Sequence, residues 1–140
     1  MRPLDGITVA ELGGRYAAGA CGTLLAQLGA TTLYVEGMGL PGDKWAHRAT
    51  FALGKEPVNL SRRQAAIDAA DVIITSSDID GDRSEYPNAI HIDLTAFGHS
   101  GPLAGKPYSD ALIQALTGIA DTNGQEGRGP FAAGAPILEY

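Results

Sequence analysis

The polar and apolar positions of this chain alternate between two periods, and the alternation predicts a βαβ progression. Residues 7–12, Ile-Thr-Val-Ala-Glu-Leu, form a β-rich run closed by Gly13 and Gly14. Beyond them Ala17, Ala18, Cys21, Leu24, Leu25 and Leu28 recur at helical spacing. Gly29 stands where a helix stops, and residues 31–36, Thr-Thr-Leu-Tyr-Val-Glu, follow as a second strand. Strand, glycine turn, helix and strand make a unit long enough for a parallel crossover, which is expected to be right-handed.

The pattern then lapses. Residues 37–55 mix Gly, Pro, Asp, Lys, Trp and His without a sustained period and read as a long loop with one helical turn at most. Residues 57–60 read as a short strand, Ser61 as the cap of a helix reaching about Ala70, and Val72 to Thr75 as an apolar strand of a buried parallel sheet. After a polar, turn-rich stretch at 76–88, the segment 90–95 alternates strictly: aliphatic residues lie on one face, and His91, Asp93 and Thr95 on the other. Residues 108–121 predict one helix with Leu112, Ile113, Leu116 and Ile119 on its apolar face, Ser109 as N-cap and Asp110 in the first turn. Asn123 and Gly124 end it, a glycine-rich loop runs to Gly134, and the apolar residues after it read as an element interrupted at Tyr140, with the sheet continuing beyond. The fold class is therefore α/β: an open, parallel-rich, Rossmann-like sheet with helices on both faces, in one domain spanning 1–140.

Composition narrows the function. With 44% hydrophobic and 19% charged residues, the 140-residue chain has the balance of a globular domain, and no stretch has the length of a membrane span. Nineteen glycines without a three-residue repeat point to tight turns and close backbone approaches. A net charge of -6 argues against a nucleic-acid partner, which would require a basic surface. The single Cys21 has no internal disulfide partner and the N-terminus has no apolar signal run, so a reducing cytoplasm is expected, with no membrane association.

Candidate chemistry begins at the first glycine turn. Glu36, at the end of the second strand, stands where a dinucleotide-binding fold holds a ribose. The glycine spacing does not fit, because counting from Gly13 puts Arg15 at the third position and Ala18 at the sixth. A nucleotide-binding oxidoreductase is thus disfavoured. The turn still combines a helix N-terminus, small side chains and the Arg15 guanidinium, which suits an anionic ligand; from this segment alone, the better-supported reading is that the small residues let the helix pack close to the sheet. His47, His91 and His99 share no metal-ligand spacing with a carboxylate or a thiol, so no metal is expected. Cys21 lies on the apolar helical face as a buried thiol. Glu139 follows an apolar Pro-Ile-Leu run, where a poorly solvated carboxylate could act as a nucleophile, although a glutamate so near the end of a chain is more often a solvated terminus.

Several of these segments, in order and in register, resemble the family III coenzyme A transferases, the group that includes formyl-CoA transferase, carnitine CoA-transferase and α-methylacyl-CoA racemase. The resemblance is carried by Pro3 to Ile7, by Ala17-Ala18-Gly19, by Leu28-Gly29-Ala30 and Val35-Glu36, and by Ala70 to Ile74. It is strongest in FGHSGP (97–102), KPYSDALIQALTG (106–118) and GAPILEY (134–140). It implies the N-terminal part of a Rossmann-like large domain that binds CoA, with Arg15, Tyr16, Ala17 and Ala18 touching it and Lys44 and Lys106 near its phosphates. It also implies an acyl-CoA donor and a carboxylic acid acceptor, and a carboxylate that attacks the thioester, passes through a mixed anhydride and becomes an enzyme-bound thioester. The family's aspartate aligns with Glu139, one methylene longer.

Other positions depart from the family pattern. Leu53-Gly54-Lys55 replaces an Asn-Arg stretch, residues 76–81 replace a Glu-Asn-Phe-Arg-Pro-Gly loop, and Gly37 stands where arginine is expected. Ser109 occupies the position of the racemase histidine, which argues against two-base proton exchange. The family's second domain, its closing glycine-rich loop and its interlocking C-terminal return are expected to lie outside these residues, so a homo-oligomer or a partner chain would supply the remainder. The alternative is a non-catalytic or fragmentary member that acts in CoA binding or assembly.

Overall fold

The computed structural model describes every residue except 37–50, 77–84, 136, 139 and 140. Its elements are β1 (Thr8–Glu11), α1 (Tyr16–Gln27), β2 (Thr31–Val35), β3 (Lys55–Val58), a 3-10 turn (Leu60–Arg62), α2 (Arg63–Asp68), β4 (Val72–Ser76), β5 (Ile90–Leu94), α3 (Asp110–Leu116) and α4 (Ile119–Thr122). The chain divides into two compact units, residues 1–95 and residues 96–140.

The first unit is a five-stranded sheet in the order β3-β2-β1-β4-β5, and every adjacent pair is parallel. The chain builds outward from β1 to β2 and β3, then returns to the other side of β1 for β4 and β5. The order therefore reverses between β1 and β4, where Val9 pairs with Val72 and Glu11 with Ile74.

Side-chain alternation along β1 explains the two layers around the sheet. Val9 joins Ala18, Ala30 and Ile74 in a core beneath α1, with Leu25 and Cys21 packed against it. Ala10 and Leu12 point the other way, into a core of Val35, Ala66, Ile67, Ile73 and Tyr86 beneath α2. Helices thus cover both faces, as the sequence predicts, and Cys21 lies on the core side of α1.

Three element boundaries differ from the sequence reading. The third strand starts at Lys55 rather than Pro57, because Lys55 and Glu56 pair with Thr32 and Leu33; Leu60 opens the 3-10 turn instead of ending a strand. The cap of that turn is Asn59, whose side chain accepts the Ser61 N–H at 3.0 Å, rather than Ser61 itself. In the second unit the predicted helix 108–121 is two helices. Ser109 caps α3 as expected, accepting the Leu112 N–H at 3.3 Å, but Gly118 takes a φ of +80° and breaks the run before α4. The predicted apolar face is not the buried one either. Leu112 and Leu116 are exposed, whereas Gln114 is fully buried. The hydrogen-bonding demand of the loop after α4 decides which face is covered, and it selects the glutamine.

Candidate functional site

In an open parallel sheet, ligands bind outside the C-terminal strand ends where the strand order reverses. Here that is the edge formed by the turn after β1 and the end of β4. Gly13 lies in the turn, and a Cβ there would fall 2.5 Å from the Ala18 Cβ and 2.7 Å from the Ser76 Oγ. The glycine is thus required by protein-to-protein packing between α1, the turn and β4. Ala18 is fully buried, and its methyl packs in the core beneath α1. Arg15 is the N-cap residue of α1 in extended conformation, with no capping hydrogen bond from its side chain, and the helical ladder starts with Gly19 N–H to Arg15 C=O at 3.1 Å. The first-turn N–H groups of Tyr16, Ala17 and Ala18 precede that ladder and face the helix N-terminus, where the macrodipole favours an anion. Tyr16 meets Phe51 edge to face, with ring centroids 5.8 Å apart. Arg15, Tyr16, Ala17 and Ala18 are therefore brought together at the reversal point, whereas Lys106 is an exposed residue of the second unit. Lys44 and Glu139 fall outside the described residues.

Directly beneath the first turns of α1 lies a charge pair that sequence reading did not single out. Glu11, the last residue of β1, shares the Val9 face and meets Lys55 at 2.5 Å; both side chains are inaccessible to solvent. The Lys55 ammonium also donates to the Gly19 carbonyl at 2.8 Å. Burial pushes the Glu11 carboxyl up to about 7 in spite of the attraction of Lys55. Burial, followed by the Glu11 charge, also raises the Cys21 thiol, so this cysteine is not an activated nucleophile. The pair exists because Gly22 leaves room for it: a Cβ there would stand 2.0 Å from the Glu11 Oε2. The available signal was a carboxylate set in the apolar run of a central strand, which demands a buried cation.

A second polar cluster occupies the opposite face. The buried Thr75 hydroxyl donates to Asp93 at 2.9 Å and lies 2.7 Å from His91 Nε2. One hydroxyl carries one proton, so His91 must be the donor in the second bond. This polarity is the reverse of that in a hydroxyl nucleophile activated by histidine, and a fully buried oxygen has no access to substrate. The cluster ties β4 to β5, and Tyr86 packs edge-on against the imidazole at 5.1 Å.

The second unit holds the approach to Glu139. Gln114 Oε1 accepts the Ala133 N–H at 2.7 Å, its Nε2 donates to Asp110 Oδ2, and Asp110 Oδ1 accepts the Leu138 N–H at 2.7 Å. The two side chains of α3 thereby hold both ends of the 133–138 segment. Phe97 and Tyr108 flank the start of this unit edge to face, 6.1 Å apart. Among the described residues no group of three His, Cys, Asp or Glu side chains is arranged to hold a metal, and no helix is long and apolar enough to cross a membrane.

Comparison with known proteins gives this geometry a context. A protein-family profile described as CoA-transferase family III matches residues 78–140. The succinate–glutarate CoA-transferase of Agrobacterium fabrum is 26% identical, over 98% of this chain and 43% of its own length. A probable fatty acyl-CoA transferase of Mycobacterium tuberculosis is 31% identical, over 84% of this chain and 38% of its own length. Among solved structures, a CAIB/BAIF family protein from Brucella suis superposes with a TM-score of 0.83 at 26% identity, covering 99% of this chain and 45% of that one. The chain spans less than half the length of these relatives, and over that span its parallel sheet with flanking helices matches the Brucella fold. By sequence and by fold, the chain is a homologue of the family III CoA-transferases, the CAIB/BAIF superfamily.

Proposed function

We propose that the chain supplies the CoA-binding and acyl-accepting part of a CoA transferase, with Glu139 as the carboxylate that attacks the acyl thioester. The observation that carries this reading is the family match over residues 78–140, a range that includes the glycine-rich loop and that glutamate. The strand reversal supports it, because Arg15 and the N-terminal turn of α1 offer a guanidinium and main-chain donors to an anionic ligand at one edge. CoA carries such anionic phosphates, and the family resemblance names Lys44 and Lys106 as further candidates to bind them. In the reaction, a Glu139 oxygen bonds to the acyl carbon and the CoA thiolate leaves. The thiolate then attacks the Glu139 carbonyl, releasing the first acid and forming a glutamyl thioester, and the acceptor carboxylate completes the exchange. The remaining active-site walls come from further chain or from a second copy, and the open edge that β5 presents among the described residues suits such assembly.

Incubation with an acyl-CoA and hydroxylamine, followed by mass spectrometry, tests this directly. Hydroxamate at Glu139 is expected. An unmodified Glu139 in a protein that binds CoA would instead support a binding or assembly role, which the extra methylene relative to aspartate favours. Calorimetry should show binding of CoA and none of NAD; the opposite pattern would overturn the reading in favour of a nucleotide-binding oxidoreductase.

A further inference from the structure

Gln114 is a fully buried polar residue on a helix whose leucines face solvent. A glutamine in that position must be there for its hydrogen bonds, since burial of an unpartnered amide is costly. Its bonding admits one arrangement. The Ala133 main-chain N–H can only donate, so the atom facing it is Oε1. Nε2 then faces Asp110, whose ionised carboxylate only accepts, and the second Asp110 oxygen takes the Leu138 N–H. Each group fixes the direction of the next. We infer that Gln114 and Asp110 are positioning residues: a relay of three hydrogen bonds that fixes the main chain at Ala133 and Leu138 and thereby sets where the following residue, Glu139, can reach.

The inference rests on the reading of Glu139 as the acyl acceptor, and the geometry gives it force. Leu138 and Glu139 are consecutive, so their Cα atoms are about 3.8 Å apart. A carboxylate one methylene longer than aspartate reaches its target only if the backbone behind it is held, because misplacement by an ångström costs orders of magnitude in rate. Glycine-rich chain precedes the held segment, and glycine contributes no stiffness of its own.

The relay has a reciprocal form, which gives a decisive test. Gln114→Glu turns two carboxylates toward each other and removes the donor that orients Asp110. Asp110→Asn sets two amide groups face to face, and one must turn away from its main-chain partner. The double variant D110N/Q114E restores all three bonds with the central donor reversed: the amide introduced at position 110 donates to the carboxylate introduced at position 114, while both side chains retain an oxygen for Leu138 and Ala133. Amide hydrogen exchange followed by NMR on the 140-residue chain should show Leu138 exchanging roughly tenfold faster or more in Q114E. At least one of the two amides should be similarly exposed in D110N, and both should be protected again in the double variant. The Leu12 amide, which bonds to the Ile74 carbonyl in the sheet at 2.9 Å, reports any general loss of stability. Unchanged exchange in both single variants, or no recovery in the double, would overturn the relay. Hydroxylamine trapping on the same variants separates the two readings. If Glu139 labels in the native chain, its labelling should fall in Q114E and recover in the double variant; labelling indifferent to the exchange pattern would overturn the positioning role. If the exchange pattern holds but Glu139 never labels, the relay stands and the assignment of Glu139 as acceptor falls.

Discussion

At Glu11 the chain places a carboxylate where water cannot reach it and matches it with one lysine. Removing the lysine alone would leave an uncompensated buried charge, so Lys55→Met should lower unfolding free energy by about 3–5 kcal/mol in urea titrations. Because burial lifts the folded-state Glu11 carboxyl to about 7 from 4.5, the native state holds this proton where the unfolded chain has lost it. Stability from this group is complete below about 4.5 and declines as pH rises through 7. The native protein should therefore lose denaturation midpoint relative to Glu11→Gln between about pH 5 and pH 8, and parallel pH profiles would contradict this. Gly22→Ala sets two effects against each other. Alanine gains roughly 1 kcal/mol of helix propensity. Its methyl, however, would collide with the Glu11 carboxylate at 2.0 Å, so net destabilisation is expected, of about 1–3 kcal/mol in the same titration. The pair was legible only as an anomaly. A glutamate within Val-Ala-Glu-Leu asks for a partner, but a lysine forty-four residues away cannot be chosen from sequence because the parallel crossover alone brings it near.

At the scale of elements, the strands and α1 were readable because their patterns are set by burial against a sheet, which enforces period on side chains. The errors cluster where local hydrogen bonding overrules hydrophobic period. Asn59 takes the cap from Ser61, and Gly118 divides a helix whose leucines look continuous. Gln114 is buried because a loop main chain needs an acceptor and Asp110 needs a donor, conditions invisible until residue 133 is known to fold back. Ser109→Ala should cost about 1 kcal/mol through loss of the Leu112 cap. Gly118→Ala should cost about 1 kcal/mol or more, since alanine at a φ of +80° is strained. Both are measurable as shifts in the midpoint of urea denaturation. In the candidate site, the glycine turn after β1 was legible as a turn, but its two possible uses were not separable. The structure shows that Gly13 serves packing against Ala18 and Ser76, the use that the sequence alone could not separate from ligand approach.

At the scale of the whole molecule, the resemblance in the sequence and the match of fold converge on one superfamily, while chemistry remains concentrated in a few side chains. The strand order also has a consequence for how the chain comes into being. Of the five described strands, β1 is made first and lies at the centre of the sheet. Its pairing with β2 can form once residue 35 has emerged from a ribosome, but its other side waits for β4 at residues 72–76. For that interval of synthesis, at about 5–20 residues per second, a strand destined for the deepest core displays a bare row of main-chain donors and acceptors. Nascent chains halted before residue 72 should therefore aggregate or recruit holding chaperones far more than chains halted after residue 95. The reversal that divides the folded sheet into two halves is, during birth, the period in which the protein is most exposed to strangers.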